Sequence, residues 1–417
     1  MPYDKSLSIF RVKYKMKIKM KDGGKGVVEK QIWAEAVVDR IREKYTKVVE
    51  RNKGKVPYTA VDGHFDDLSG KDINWWTNGF YGGMLWQLFH LTGQAGYREE
   101  AEGLEDKLDA VLMSYAGMDH DSGFRFLPTA VTDFKITGKE ASKNRGLLAA
   151  VNLAGRFNPQ GNYIRAWNDE TGDNAGWAII DCMMNLPLLY WASEVTKDAR
   201  FYQVAVRHAN MVMKYFIRED GSARHIVEID PKEGHFVQDF GGQGYGKGSS
   251  WTRGQAWALY GFTLSYLHTG DEAYLKTARR VAAYFISHIP ASGLIPVDFA
   301  QPSDCRWEDS TAGAIASSGL LLLSQILSGQ ETVAGDRKNP FQGTPLTGEA
   351  GTAEEAAVKM LKALDENRCS WGNDRDELLE KGTAAFHDKT HEFPIIYGDY
   401  YFIEAMLRLT GEEFFIW

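Results

Sequence analysis

Apolar residues recur at intervals of three and four along most of this chain, and that period predicts helices. The run beginning at Val27 sets the pattern: Ile32, Ala36, Val37, Ile41 and Tyr45 fall on one face of an amphipathic helix. Farther on, WAIIDCMMNLPLLYWA (Trp177 to Ala192) and WTRGQAWALYGFTLSYL (Trp251 to Leu267) are apolar around much of their circumference. Helices of that kind must be covered on most sides.

A related phrase keeps returning: LFHLTGQAGYREEA, YWASEVTKDARFYQVA, LSYLHTGDEAYLKTA and AMLRLTGEEFF. Each has a helix with an apolar tail that stops at a polar or glycine turn, after which an aromatic residue opens the next segment. The echoes keep no fixed period, which disfavours a strict solenoid. Repeated helical hairpins in two layers, closed into a ring, satisfy the pattern, with an open helical array as the alternative. Segments 117–145, 155–176, 234–252 and 289–312, rich in Gly, Asp and aromatic residues, read as long connections, a common home for function. Residues 329–355 carry turn residues and little period, and read as a surface insertion.

The chain has 417 residues, 44% of them hydrophobic, with no composition break, so residues 27–417 predict one domain behind an N-terminal extension, 1–26. A net charge of −8 argues against a nucleic-acid partner, which needs clustered Lys and Arg. Cys182, Cys305 and Cys369 are too few and too scattered for a disulfide framework or a four-thiolate zinc site. The opening residues lack the apolar run of a secretory signal, and no stretch of 18 uncharged apolar residues predicts a membrane span. A cytoplasmic protein is expected.

Asp181 stands among Ile179, Ile180, Cys182 and Met183, where burial would raise its pKa and suit it to give and take a proton. An Asp bonded to a neighbouring loop would read the same way from this position alone, and Asn185, one turn on, is a natural partner. Asp121, in the polar segment MDHDSGF, is a second acid candidate or a helix cap. His225 is either a ligand donor or an exposed strand residue. The densest constellation is GQGYGKGSSWTRGQAWALY, from Gln243 to Tyr260. There a glycine-rich loop permits close backbone approach, and Arg253 offers a forked donor for a carboxylate. It lacks the GxxxxGK[ST] signature of a nucleotide site. Twelve Trp residues are present. Trp75, Trp76, Trp167 and Trp251 have polar neighbours, as sugar-binding aromatics do, whereas Trp86 and Trp191 read as core.

Taken together, WWTNGFYGGMLW, HDSGF, NYIRAWND, IIDCMMNLPLLYWA, SSWTRGQAWALYGF, DSTAGAIASSGLL and GDYYFIEAMLRL give a chain that resembles glycoside hydrolase family 88, the unsaturated glucuronyl hydrolases. The resemblance spans most of residues 30–417. It implies an all-α fold, an (α/α)6 barrel or six-hairpin toroid. It also implies release of a 4,5-unsaturated uronic acid from the non-reducing end of lyase-generated oligosaccharides, by hydration of a vinyl ether. Asp181 would protonate C4 and then activate the water that attacks C5. Asp121 would contact the substrate ring and tune Asp181, while His225, Gln243 and Arg253 bind hydroxyls and the uronate carboxylate. Trp75, Trp76, Trp167, Trp251 and Tyr400 would wall the pocket, and no metal or other cofactor is implied.

Members that favour sulfated fragments carry serines and a lysine before the last motif. Here that stretch has no serine, although His387, Lys389 and His391 lie in it, so the resemblance implies no preference between sulfated and unsulfated fragments. Lys247, in a loop without the acidic pair often found there, suits an anionic aglycone. An inverting glycosidase acting on saturated sugars with the same two acids, and a non-catalytic carbohydrate-binding toroid, are the rival readings.

Overall fold

A computed structural model describes residues 25–168, 174–335 and 337–417. Most of the 1–26 extension, and Asp169 at the end of NYIRAWND, lie outside the described residues. In chain order the first six main helices are α1 (Lys25–Arg51), α2 (Phe80–Thr92), α3 (Ala95–Lys107), α4 (122–137), α5 (Glu140–Gly155) and α6 (180–196). The other six are α7 (Ala199–Tyr215), α8 (Thr252–Thr269), α9 (Glu272–His288), α10 (Ser310–Leu327), α11 (Thr347–Asn367) and α12 (Ile396–Thr410).

The even-numbered helices form an inner ring, each packed on the next, with α12 returning to α2. Each also packs on an outer helix: α2 on α3, α4 on α5, α6 on α7, α8 on α9, α10 on α11 and α12 on α1. The (α/α)6 barrel is therefore closed, and its last hairpin is made from the two sequence-distant helices α12 and α1. Burial follows the layers. In α8 everything from Thr252 to Leu267 is buried, whereas α9 buries one stripe, including Tyr274, Ala278, Val281 and Phe285. In α1 the buried stripe is Ala34, Val37, Val38, Ile41, Tyr45 and Val48; Ile32 and Ala36, assigned to the apolar face by periodicity, are exposed. Ser310–Leu327 is long and apolar enough to cross a membrane, but it is an inner barrel helix and almost wholly buried.

Three of the four recurring phrases, together with ITGKEA at the end of α4, share one physical cause. Thr92, Thr137, Thr196 and Thr269 each donate a hydroxyl to the carbonyl four residues back, at 2.6–2.8 Å. Each also accepts the N–H two residues ahead at 3.1–3.2 Å. The residue between (Gly93, Gly138, Lys197, Gly270) is left-handed, which stops the inner helix and turns the chain outward. Asp198 and Asp271 then cap the outer helices, a contribution of about 1 kcal/mol each. With the short turns all at one end, the long connections and the N-termini of all six inner helices gather at the other.

Two segments differ from the sequence expectation. Residues 122–137, inside the expected connection 117–145, are helix α4, with a π turn at Leu127–Val131. Burial on all sides and Pro128 erase its amphipathic signature. The insertion is shorter than 329–355, because α11 begins at Thr347. The remainder carries a small ribbon, Thr332–Val333 against Arg337–Lys338, and is packed down by buried Asn339, which donates to the Ile326 and Gln330 carbonyls.

Candidate active site

A three-stranded antiparallel sheet lies at the loop-bearing end: β1 (Trp177–Ile179), β2 (Ile226–Ile229) and β3 (Phe236–Phe240), in that order. β1 runs straight into Asp181, His225 precedes β2, and β3 leads to Gln243. Pairing Ile179 with Ile226, and Ile226 with Phe240, therefore brings three distant sequence positions together. On the neighbouring inner helix, Asp121 stands just before α4, beside Asp181 in the first turn of α6. Their approach depends on Gly123, since a Cβ there would lie 2.6 Å from the Asn185 Cα.

Asn185 links the two acids. Its amide nitrogen is 3.3 Å from the Asp181 carbonyl and 3.5 Å from Asp121 Oδ1, while its Oδ1 accepts the Phe124 N–H at 2.7 Å. Asp181 is 8% exposed, and among the described residues its Oδ1 has no hydrogen-bond partner. Burial first, and Asp121 second, push its pKa from 3.8 up to about 7, with His120 and Arg253 pulling the other way. Asp121 is raised well above the carboxylate range by burial and by Asp119. Such groups hold a proton near neutrality and exchange it readily.

The His225 ring is fixed by a backbone donor. Gln243 N–H donates to Nδ1 at 2.9 Å, which places the ring proton on Nε2, 3.8 Å from Asp181 Oδ1. Burial, with Arg253, lowers this imidazole to about 3, so it stays neutral. Close contact with this ring restricts residue 242, where φ is +56° and a Cβ would meet Nδ1 at 2.0 Å; glycine is required there. His225 is thus buried, not an exposed strand histidine. Trp251, which precedes α8, sets its ring 4.3 Å from that of His225.

Arg253 is buried behind Trp251, its guanidinium 4.5 Å from the indole and 5.4 Å from the Tyr397 ring. Its donors go to Asp309 and to the carbonyls of Thr383 and Ala384. What it offers this site is positive charge and a fixed 383–392 loop. Gln243 clamps the same loop, its side chain donating to Ala384 O and its carbonyl accepting the Phe386 N–H, both at 2.8 Å. His387 Nε2–H donates to Tyr245 O at 2.9 Å, His391 stacks on Trp307 at 3.6 Å, and Lys389 and Lys247 are exposed.

Of the aromatic candidates, Trp75 stands 36% exposed at the mouth with its ring edge-on to Tyr58. Trp76 packs on Phe124 and Tyr397, and Trp167 meets the His120 ring edge at 5.6 Å. Trp86 and Trp191 are core. Tyr400 does not wall the pocket. It is fully buried, donating to Glu404 at 2.8 Å, and Tyr397, one turn nearer the helix start, is buried as well, against the Arg253 guanidinium. Sequence reasoning also missed His120, although it lies within HDSGF, and Asp298, whose carboxylate folds the glycine-rich loop by accepting from Tyr245 N, Ser249 Oγ and Ser250 N. Two surface clefts, about 370 Å³ by α10 and α11 and about 380 Å³ beside α7, contain none of these groups. What marks the mouth is Asp181 Oδ1, a buried acid oxygen with no hydrogen-bond partner among the described residues.

Known proteins share this architecture. The unsaturated glucuronyl hydrolase of Bacillus sp. strain GL1 is 34% identical over 83% of this chain and 90% of its own. The unsaturated chondroitin disaccharide hydrolase of Streptococcus pneumoniae is 30% identical over 82% and 83%. The crystal structure of the Bacillus sp. GL1 enzyme superposes with a TM-score of 0.80 at 29% identity, covering 91% of this chain and 96% of that one. The sequence profile of Glycosyl Hydrolase Family 88 matches residues 33–285, and the chain belongs to that family.

Proposed function

We propose that this enzyme removes a 4,5-unsaturated uronic acid from the non-reducing end of glycosaminoglycan-type oligosaccharides left by polysaccharide lyases. Relatives named for unsaturated glucuronyl and unsaturated chondroitin disaccharide substrates support that class. The observation that carries the chemistry is Asp181: buried, without a hydrogen-bond partner at Oδ1 among the described residues, and held at about 7. A protonated Asp181 delivers its proton to C4 of the C4=C5 bond, and positive charge develops at C5, shared with the ring oxygen. The resulting carboxylate takes a proton from the water that attacks C5, which returns Asp181 to its starting form. The hemiketal then opens and expels the remaining sugar chain. One acid cycles through both roles.

Asp121 and the neutral His225 border Asp181 and position the ring, and the indoles of Trp75, Trp167 and Trp251 offer it apolar faces. The uronate carboxylate is favoured by the positive ends of the inner helices and by the Arg253 charge. Incubation with an unsaturated chondroitin disaccharide should abolish the near-ultraviolet absorbance of the conjugated double bond. In deuterated water, deuterium should appear at C4. Asp181→Asn should lower turnover by about a hundredfold to ten-thousandfold while sugar affinity persists. Unchanged absorbance with several unsaturated uronides, together with cleavage of saturated ones, would assign the site to ordinary inverting hydrolysis instead.

A further inference from the structure

We infer that His120 is a positioning residue that keeps Asp121 protonated by accepting its one proton at Nε2, so that Asp121 borders Asp181 as a neutral group. This rests on the function proposed above, but its evidence is an arrangement of donors and acceptors. His120 Nδ1 lies 2.7 Å from the Ala166 carbonyl, which can only accept, so Nδ1 carries the ring proton. The His120 backbone N–H donates to the same carbonyl at 3.2 Å, which pins the residue. Nε2 of the neutral ring is then a lone pair, and it lies 3.2 Å from Asp121 Oδ1. Two acceptors at that separation require a proton between them.

Burial decides which of the two carries it. His120 is 2% exposed and Asp121 6%, and separating charge in so dry a place is costly. A neutral imidazole accepting from a neutral carboxyl avoids that separation. Burial lowers His120 and raises Asp121, in keeping with the same assignment. The surrounding charges are Asp119 paired with Arg125 on the same segment, Asp181 and Cys182 from α6, Arg156 after α5, His208 from α7, His225 before β2 and Arg253 from α8. Arg125 is tied to Asp119 at 2.8 Å and Arg156 to the Met118 and Arg165 carbonyls at 2.9 Å. Neither donates to Asp121. The consequence reaches Asp181, because a neutral Asp121 leaves it free to become a carboxylate after it has protonated C4.

Two substitutions separate this role from simple anchoring. His120→Asn keeps a donor for Ala166 O but takes away the acceptor that faces Asp121. His120→Gln places an amide oxygen where Nε2 was. Asp121 should ionise in the Asn variant, which would hold the Asp181 proton more tightly. The alkaline limb of kcat/KM should move to higher pH, and its plateau should fall about tenfold or more. The Gln variant should retain the wild-type limb and stay within about threefold of wild-type kcat/KM. An Asn variant with the wild-type pH profile, or a Gln variant displaced as far as Asn, would overturn the inference.

A readout independent of turnover uses the whole chain labelled with nitrogen-15 at its ten histidines, with the His120 signals identified by their loss in the Asn variant. Between pH 6 and 8, His120 should have a protonated Nδ1 and an unprotonated, hydrogen-bonded Nε2. The same tautomer should persist in Asp121→Asn, whose amide can donate as the carboxyl did. An imidazolium, or a proton on Nε2 of a neutral ring, would refute the assignment even in a fully active enzyme. Failure to consume unsaturated uronides would refute the proposed function and leave this measurement standing.

Discussion

Replacing Asp181 by Asn should make the protein more stable, and increasingly so as pH rises. A carboxyl held at about 7 in the fold, against an ordinary 3.8, binds a proton more tightly folded than unfolded. Stability is therefore lost as pH climbs from the lower value to the higher and levels off above it. At about 1.4 kcal/mol per pH unit, the loss reaches roughly 4 kcal/mol by pH 8, but only about 1 to 2 kcal/mol at pH 5. An uncharged Asn escapes this term at every pH. Packing effects of the substitution, and titrating groups remote from Asp181, act alike at both pH values and drop out of the comparison, and a neutral Asp121 adds no charge to it. The Asn variant's advantage over wild type should thus be about 2 to 3 kcal/mol larger at pH 8 than at pH 5, a difference of several degrees in Tm. Thermal unfolding of both proteins followed by circular dichroism at the two pH values measures it. An equal advantage at pH 5 and pH 8 would mean that Asp181 is not a strained acid, and its role as proton donor would fall with it.

The same raised acid governs rate: kcat/KM should decline as pH rises through about 7, because Asp181 must be protonated to react, and a profile still climbing between pH 7 and 8 would contradict this. Gly123→Ala forces a Cβ to within 2.6 Å of the Asn185 backbone, so it should destabilise by about 1–3 kcal/mol and lower kcat more than it changes KM. Gly103→Ala, on an exposed and open stretch of α3, should do neither, which chemical denaturation and steady-state kinetics can compare. Tyr400→Phe removes one buried hydrogen bond to Glu404 and should lower stability by about 1–2 kcal/mol with kcat/KM unchanged; a kinetic defect would return Tyr400 to the pocket.

What could be read from the sequence was whatever is encoded locally. The threonine turn is complete within seven residues, so its recurrence exposed the hairpins. Asp181 was visible because a charge among Ile180, Cys182 and Met183 violates its surroundings, and Asn185 followed from helical spacing. Long-range pairing left no such trace. Arg253 looked like an open fork, but its partners Asp309, Thr383 and Ala384 lie 56 to 131 residues away. Tyr397 and Tyr400 occupy one helical turn with the same chemistry, and only their distant partners, Arg253 against Tyr397 and Glu404 bonded to Tyr400, tell them apart. The tautomers of His120 and His225 depend on a carbonyl and an amide supplied by other loops.

Because α1 completes the hairpin begun by α12, the contact that seals the circle joins segments more than three hundred residues apart in the chain. During synthesis α1 leaves the ribosome with its apolar stripe uncovered and must wait for almost everything else to follow. That stripe is the surface most exposed to chaperones and to mispairing with a second nascent copy. Assembly speed should accordingly depend more on this late closure than on any of the five local hairpins.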